Sequence, residues 1–549
     1  MSEKIKITID IENEKANTEF EGIKKQFVTV THDSSVTIMS TLLKNGLISG
    51  SFCGGRGDCG RCRIQFLEGM TVPTPLERST LEAEELRQGY RLACMTKPKN
   101  DCVIKLALLD MPEIAVVTEM IDVTGKNDCL SQQKNQSKNN KSDVMDSTAG
   151  MASTNASEQS VSSNQAHSDI KKTGVMIAVD LGTTTIAMQL MELDTGRVID
   201  TYCEMNPQRQ YGADVLSRIQ ASCEGSREVL QKLATEVLEQ GVARFRKQSA
   251  DIKCMCIAGN TTMQHLLMGY DVSSLGRSPF TPVEIGLQEY KHSAWDFPVW
   301  LVPGISAFVG GDIVAGLYAC NMLPDFSPAL LIDLGTNGEM AITDGVRMIV
   351  TATAAGPAFE GGAGAGIIGS DMIACIAALL RQGIVDETGL LADSDHTFTA
   401  GASGGSVYLT QEDIRSLQMA KAAVRAGVEI LQKRLEEEQS DELQPGRTRS
   451  NVWQGVQVYL AGGFGYYLDV EAAFRIGLLP EHMRGHVRAV GNTSLAGAYL
   501  IGRDLWQHKI DRQMLEKSLS FIESINLAKQ EEFERLYIQY MNFEPTHTI

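Results

Sequence analysis

No stretch of this 549-residue chain approaches 18 consecutive apolar residues, so no transmembrane helix is expected. The opening MSEKIKITIDIENE is charged and strand-like and lacks the apolar core of a secretory leader; a cytoplasmic protein is the expectation. Cations are scarce, with 50 Lys and Arg against 68 Asp and Glu and a formal net charge of −18. That balance argues against a nonspecific nucleic-acid binder, whose affinity rests on clustered cations meeting phosphates. Neither nucleic acid nor membrane is expected as a partner. No G-x-x-x-x-G-K-[ST] sequence occurs, which excludes a P-loop ATPase on motif grounds. Proline is sparse at 15 residues while 43% of the chain is apolar, enough for several cores. At about 150 residues per domain, three to four domains are expected.

Twelve cysteines are present, but four crowd between positions 53 and 94. A large chain without a leader uses such a cluster for metal or redox chemistry rather than disulfides. Cys203, Cys223, Cys320, Cys375 and the Cys254/Cys256 pair read as ordinary buried side chains. The local signal is CGGRGDCGRC, carrying Cys53, Cys59 and Cys62, followed by RLAC ending at Cys94. Glycines between the thiolates keep bulky side chains out of the loop and free backbone N–H groups for cluster sulfides. Zinc is the rival reading, but zinc sites pair two C-x2-4-C knuckles and the second pair is missing here. The C-x5-C-x2-C spacing with a lone distant cysteine resembles [2Fe–2S] ferredoxins, and the x5 interval resembles their adrenodoxin branch. That resemblance implies Cys53, Cys59, Cys62 and Cys94 as cluster ligands. Cys102 is the alternative fourth ligand, set in strand-like sequence and expected to be buried.

Residues 1–122 form the first expected domain. Ile5, Ile7 and Ile9 alternate with polar residues as a half-buried strand requires, QFVTVT reads as a second strand, and SSVTIMSTLLKNG as a short helix stopped by Gly46. Together with the cluster loop these predict a small α+β domain, and the ferredoxin resemblance implies that it is of the β-grasp kind. Residues 123–172 read as a flexible linker, since half of residues 131–170 are Ser, Asn or Gln and bury too little surface to offset chain entropy.

Residues 173–503 contain a repeat: GVMIAVDLGTTTIAMQLMELDTGRVIDTY is matched by ALLIDLGTNGEMAITDGVRMIVTAT, with Asp180 and Asp333 in equivalent places. Each copy reads as strand, Gly-Thr turn, strand, turn, strand. Small residues let backbone N–H groups approach phosphate oxygens, and a strand-end aspartate can hold Mg2+ or a water on it. Two facing turns of this kind make a polyphosphate clamp, formed by Gly182, Thr183, Thr184 and Thr185 in one and Gly335, Thr336 and Asn337 in the other. YLAGGFG then offers Gly462, Gly463 and Gly465 against an adenosine ring. GAGIIG at 364–369 fits a dinucleotide fingerprint only weakly, because no strand leads directly into it. Residues 504–549 read as a polar helical segment for packing or a partner.

This order of turns resembles the ASKHA superfamily of actin, sugar kinases and Hsp70-type proteins. The resemblance implies duplicated ribonuclease-H-like α/β subdomains at about 174–322 and 328–503, closing on Mg·ATP. It implies that Asp180 and Asp333 organise metal and attacking water, with Asp312 and Glu339 as helpers; capping or solvated carboxylates remain the plainer reading of those two. GNTSLAGA resembles a connecting helix. Ferredoxin and ASKHA portions together resemble the reductive activators of corrinoid proteins, as do NPQRQYGADVLSRI, AGNTTMQHLLMG, FVGGDIVAG, ATAAGPAFEG and LQMAKAAVRAG. The resemblance implies one-electron reduction of Co(II) to Co(I) in a corrinoid protein of a methyltransferase or O-demethylase system. It also implies an electron donor such as a reduced ferredoxin or flavoprotein, and leaves a homodimer open. Two alternatives stand beside it, an electron-injecting activator of another low-potential enzyme and a nucleotide-dependent redox-sensing module.

Overall fold

The computed structural model describes residues 4–11, 26–44, 62–81, 83–106, 174–249, 251–323, 327–335, 337–354, 369–392, 397–402, 405–438, 456–462, 465 and 468–544. The linker and GAGIIG, apart from Gly369, lie outside them. The first domain is a five-stranded sheet of β1 (Lys4–Ile11), β2 (Gln26–Asp33), β3 (Arg63–Glu68), β4 (Tyr90–Leu92) and β5 (Cys102–Leu106), in the order β2-β1-β5-β3-β4. β1 pairs antiparallel with β2 and parallel with β5. Alternation along β1 does what its sequence implies: Ile5, Ile7 and Ile9 are buried while Lys4 and Lys6 stay exposed. Ile7 and Ile9 share a core with Ile38 and Leu42 of the helix Ile38–Lys44 and with Ile64, Leu92 and Ile104. A mixed sheet wrapped on one helix is the β-grasp arrangement expected.

Beyond residue 174 the repeat is visible as topology. The first sheet consists of β6 (Val175–Leu181), β7 (Thr185–Glu192), β8 (Val198–Met205), β9 (Ile252–Gly259), β10 (Gln288–Glu289) and β11 (Val299–Leu301), ordered β10-β11-β9-β6-β7-β8. The second half contains β12 (Ala329–Leu334), β13 (Gly338–Thr343), β14 (Met348–Thr353), the separate hairpin β15 (Thr397–Ala402) and β16 (Gly405–Thr410), then β17 (Gln457–Ala461), β18 (Val487–Gly491) and β19 (Ile522–Ser524). Its main sheet runs β18-β17-β12-β13-β14-β19. In each half an antiparallel three-strand meander is extended by strands parallel to its first member: β9 and β11 beside β6, β17 and β18 beside β12. Near-continuous apolar runs such as IKCMCIAG in β9 reflect burial on both faces.

Two helices join the halves. Gly311–Ala319 and Thr493–Trp506 cross closely, because Gly497 brings the backbone of one against Ala315 of the other: a Cβ there would sit 1.9 Å from the Ala315 carbonyl oxygen. Thr493–Trp506 packs on β6 and β9 although it follows β18 in sequence, and it runs past residue 503. The tail is part of the second half. β19 pairs parallel with β14, and Lys421, buried in the helix Gln411–Glu438, donates from Nζ to the carbonyls of Tyr540 and Asn542, each at 2.6 Å. The scattered cysteines divide: Cys254, Cys256 and Cys320 are buried, Cys203 and Cys375 half-buried, whereas Cys223 is exposed at a π-helical turn, Ser222–Ser226.

Candidate cluster site and nucleotide cleft

Cys62 ends the cluster loop immediately before β3, and Cys94 follows β4. Antiparallel pairing of those strands and the Ala93 N–H donated to the Cys62 carbonyl at 2.8 Å bring the two thiols together, Sγ to Sγ 3.2 Å. Glu77, buried, accepts from Leu92 N–H and Thr96 Oγ1 and so holds the segment around Cys94 from behind. Cys53 and Cys59 lie outside the described residues. Two soft sulfur donors side by side, Cys62 half-buried and Cys94 buried, fit a thiolate-ligated iron centre. Cys102 sits in β5, where burial pushes its thiol up to about 11, as befits a core residue rather than a ligand.

The second site assembles four carboxyl groups, Glu339 buried and Asp180, Asp312 and Asp333 half-buried. Asp180 and Asp333 occupy the penultimate positions of β6 and β12, so the duplication places them alike. Asp180 accepts from Asn492 Nδ2 and Ser494 Oγ, both at 2.8 Å, across the join between the halves. Burial raises its pKa against those two bonds. Asp312 lies in the first turn of Gly311–Ala319 and accepts from the Ile313 N–H at 2.8 Å. Its carboxyl is pushed up to about 7 by burial, opposed by that bond and reinforced by the charge of Asp180. Asp333 reaches about 7 through burial and the charges of Asp312 and Asp180. Glu339 stands directly opposite Asp333 in the β12–β13 register and is held well above the usual carboxylate range, by burial first and then by Asp312 and Asp333; Asn337 hydrogen-bonds it. Like charges so placed repel unless a proton or cation intervenes.

No three metal-ligating side chains converge on one point among the described residues. Mg2+ keeps waters and substrate phosphates and takes only one or two carboxylates from a protein. Thr183 and Thr184 are buried in the first turn, and the buried Thr185 hydroxyl has no hydrogen-bond partner among the described residues, an orphan donor in the loop expected to meet phosphate. A Cβ at Gly335 would meet the Asn337 carbonyl oxygen at an ordinary 3.9 Å. Gly462 is left-handed at φ +85°, and a Cβ there would lie 2.7 Å from Asp333 Oδ1, so only glycine lets β17 end against that carboxylate. Gly465 packs over the end of β17, while Thr336 and Gly463 lie outside the described residues. The sequence reading missed Asn492 and Ser494. Asn492 is the N-cap of Thr493–Trp506, bonding Leu495 N–H, and that capping pattern was the available signal.

Family models agree with this architecture. A 2Fe-2S iron-sulfur cluster binding domain matches residues 23–99, the RACo middle region matches 175–325, and the C-terminal domain of RACo, the ASKHA domain, matches 327–365 and 363–548. The chain belongs to the RACo family. Its RACo architecture places a ferredoxin domain before a duplicated ASKHA domain, and the C-terminal model runs through the tail to residue 548. Corrinoid activation enzyme RamQ of Eubacterium limosum is 29% identical over 397 residues, 60% of this chain and 64% of that protein. The chain thus spans a little under two thirds of that relative. A Co(II) methylated amine-specific corrinoid protein reductase of Methanosarcina barkeri is 24% identical over 422 residues, 67% of this chain and 76% of that one. The solved structure of a reductive activator for corrinoid, iron-sulfur protein covers 98% of both chains at 22% identity with a TM-score of 0.57, a likeness of fold.

Proposed function

We propose that this protein is an ATP-dependent reductive activator of a corrinoid protein. Each cycle adds one electron to cobalt, Co(II) to Co(I), and cleaves ATP with water to ADP and phosphate. The observation that carries this reading is the presence in one chain of the paired Cys62 and Cys94 sulfurs and the carboxylate cleft between duplicated sheets. A [2Fe–2S] group, held by Cys53, Cys59, Cys62 and Cys94, supplies a one-electron centre when bound. Centres of that type lie near −400 mV. A one-electron gap of roughly 150 mV would cost about 3.5 kcal/mol, from about 2.3 kcal/mol per 100 mV. Hydrolysis offsets this only if nucleotide states bind the corrinoid partner differently.

In this reading Asp333 and Asp180 would orient the Mg2+-bound polyphosphate and the attacking water. Asp312 and Glu339 would release protons as the cation arrives and take them up as it leaves, and the glycines at 462, 463 and 465 would receive the adenosine. The names of the relatives support a corrinoid partner. A reduced ferredoxin or flavoprotein as electron donor, a cytoplasmic location and a homodimer belong to the same reading. No helix among the described residues is long and apolar enough to cross a membrane.

The test mixes reconstituted protein, Mg·ATP and a low-potential chemical reductant with corrinoid proteins of the host's methyltransferase systems. Loss of Co(II) absorbance that requires both ATP and reductant is expected. Co(II) persisting in every partner, or disappearing equally fast without ATP, would refute the reading. EPR of the reduced protein checks the cluster: Cys94→Ser abolishes or alters the [2Fe–2S] signal, and Cys102→Ser leaves it.

A further inference from the structure

Two of the strings singled out in the sequence, NPQRQYGADVLSRI and AGNTTMQHLLMG, have no part in the chemistry described so far. In the fold they lie behind the first phosphate turn. Asn206 Nδ2 donates to the Gly182 carbonyl at 2.9 Å, and the Asn206 N–H donates to the Thr184 carbonyl at 2.9 Å. Between them, Arg218 Nη2 donates to the Thr183 carbonyl at 2.5 Å. Asn260 Nδ2 reaches Thr183 Oγ1 at 2.9 Å from the start of the helix Thr261–Met268. Three successive carbonyls of the turn are thus drawn to one side.

A trans peptide is planar, and its C=O and N–H point in opposite directions. Fixing the Gly182, Thr183 and Thr184 carbonyls on the inner side therefore aims the following N–H groups, of Thr183, Thr184 and Thr185, toward the other. Successive N–H groups sharing one side form an anion-binding concavity. Arg218 is fully buried, and a guanidinium stays charged at any physiological pH, so the turn also carries a fixed positive charge at its back. The second turn is built differently: a hydrogen bond within it runs from Gly335 N–H to the Asn337 carbonyl at 2.9 Å.

We propose that Asn206, Arg218 and Asn260 are positioning residues for polyphosphate, acting through the first turn without touching the nucleotide. The proposal rests on the nucleotide-cleft reading above and names what shapes its phosphate side. Losing a hydrogen bond to a charged or fully buried partner changes affinity by roughly 10- to 100-fold. Asn206→Asp keeps the shape but replaces the donor to Gly182 with an acceptor, and Arg218→Met removes the fork while keeping much of the volume.

The test measures steady-state ATP hydrolysis and Mg·ATP binding by calorimetry on the reconstituted full chain, with the reduced-cluster EPR signal as a control. Asn206→Asp and Arg218→Met are expected to raise KM and Kd for Mg·ATP about tenfold or more with kcat changed less than about threefold, and Arg218→Lys to recover part of the loss. A smaller folded fraction would instead lower apparent kcat at unchanged KM, and that outcome in the variants that fold overturns the proposal. Should Arg218→Met not fold, Asn206→Asp and Asn260→Ala decide it by the same criterion. If the wild-type protein itself fails to bind Mg·ATP, the nucleotide reading falls, separately from the roles of these residues.

Discussion

The two halves of the duplicated domain share a strand plan and differ in what surrounds the shared aspartate. In the first half Asp180 is tied by Asn492 and Ser494, and its cross-strand neighbour is Ala187. In the second, no hydrogen bond reaches the Asp333 carboxylate among the described residues, its cross-strand neighbour is Glu339, and Asp312 adds a further charge. Duplication supplied two equivalent strand ends; side chains at neighbouring register positions then made one a fixed anchor and the other a crowded carboxyl group that favours a proton or a cation. Backbone symmetry is thus compatible with a division of labour.

The largest expected effect comes from Asp333→Asn. Hydrolysis should fall by about 100- to 1000-fold in a phosphate-release assay, the range for removing one preorganised electrostatic group. The nucleotide-free protein should become more stable, because a buried like charge is gone. That gain has a definite pH dependence. With folded pKa values near 7, Asp312 and Asp333 hold protons that the unfolded chain releases above about 4, so wild-type stability from these groups falls as pH rises through that window. Thermal melts from pH 5 to 8 should show a smaller decline in Asp333→Asn; an unchanged slope would mean the carboxylates do not interact.

Next, Glu339→Ala copies the first half's arrangement into the second. About a 10- to 100-fold loss in hydrolysis is expected, and Mg·ATP binding should release fewer protons near pH 7, measured by calorimetry in buffers of different ionisation enthalpy. Retained activity would make the asymmetry incidental. Gly462→Ala tests the packing around Asp333: the left-handed backbone and the close approach should cost about 1–2 kcal/mol of stability, read from denaturant midpoints, and weaken Mg2+ dependence. Smallest, Asn492→Ala removes both a helix cap and a donor to Asp180, an expected loss of about 1 kcal/mol with a fewfold slower hydrolysis. Its effect on Asp180 should exceed any effect on Asp333, or the two anchors are not distinct.

Much of this was legible in one dimension because local periodicity maps directly onto strands. Ile5, Ile7 and Ile9 announced β1, and the paired Asp-Leu-Gly-Thr turns announced two sheets with aspartates at matching ends. The tail was less legible: a polar helical reading did not reveal that Ile522–Ser524 joins the second sheet, since a three-residue strand has too little pattern to register. Cys223 was expected in a core, and a π-helical turn exposes it.

The order of residues alone determined the division into a thiol-rich β-grasp domain and a duplicated α/β domain, because those signals are spacing and alternation along the chain. Only tertiary structure decided that Asn492 and Ser494, more than 300 residues distant, secure Asp180. It likewise decided that Glu339 confronts Asp333 while Ala187 confronts Asp180. Hydrogen bonding and charge repulsion act through distance in space, and register and helix crossing set that distance.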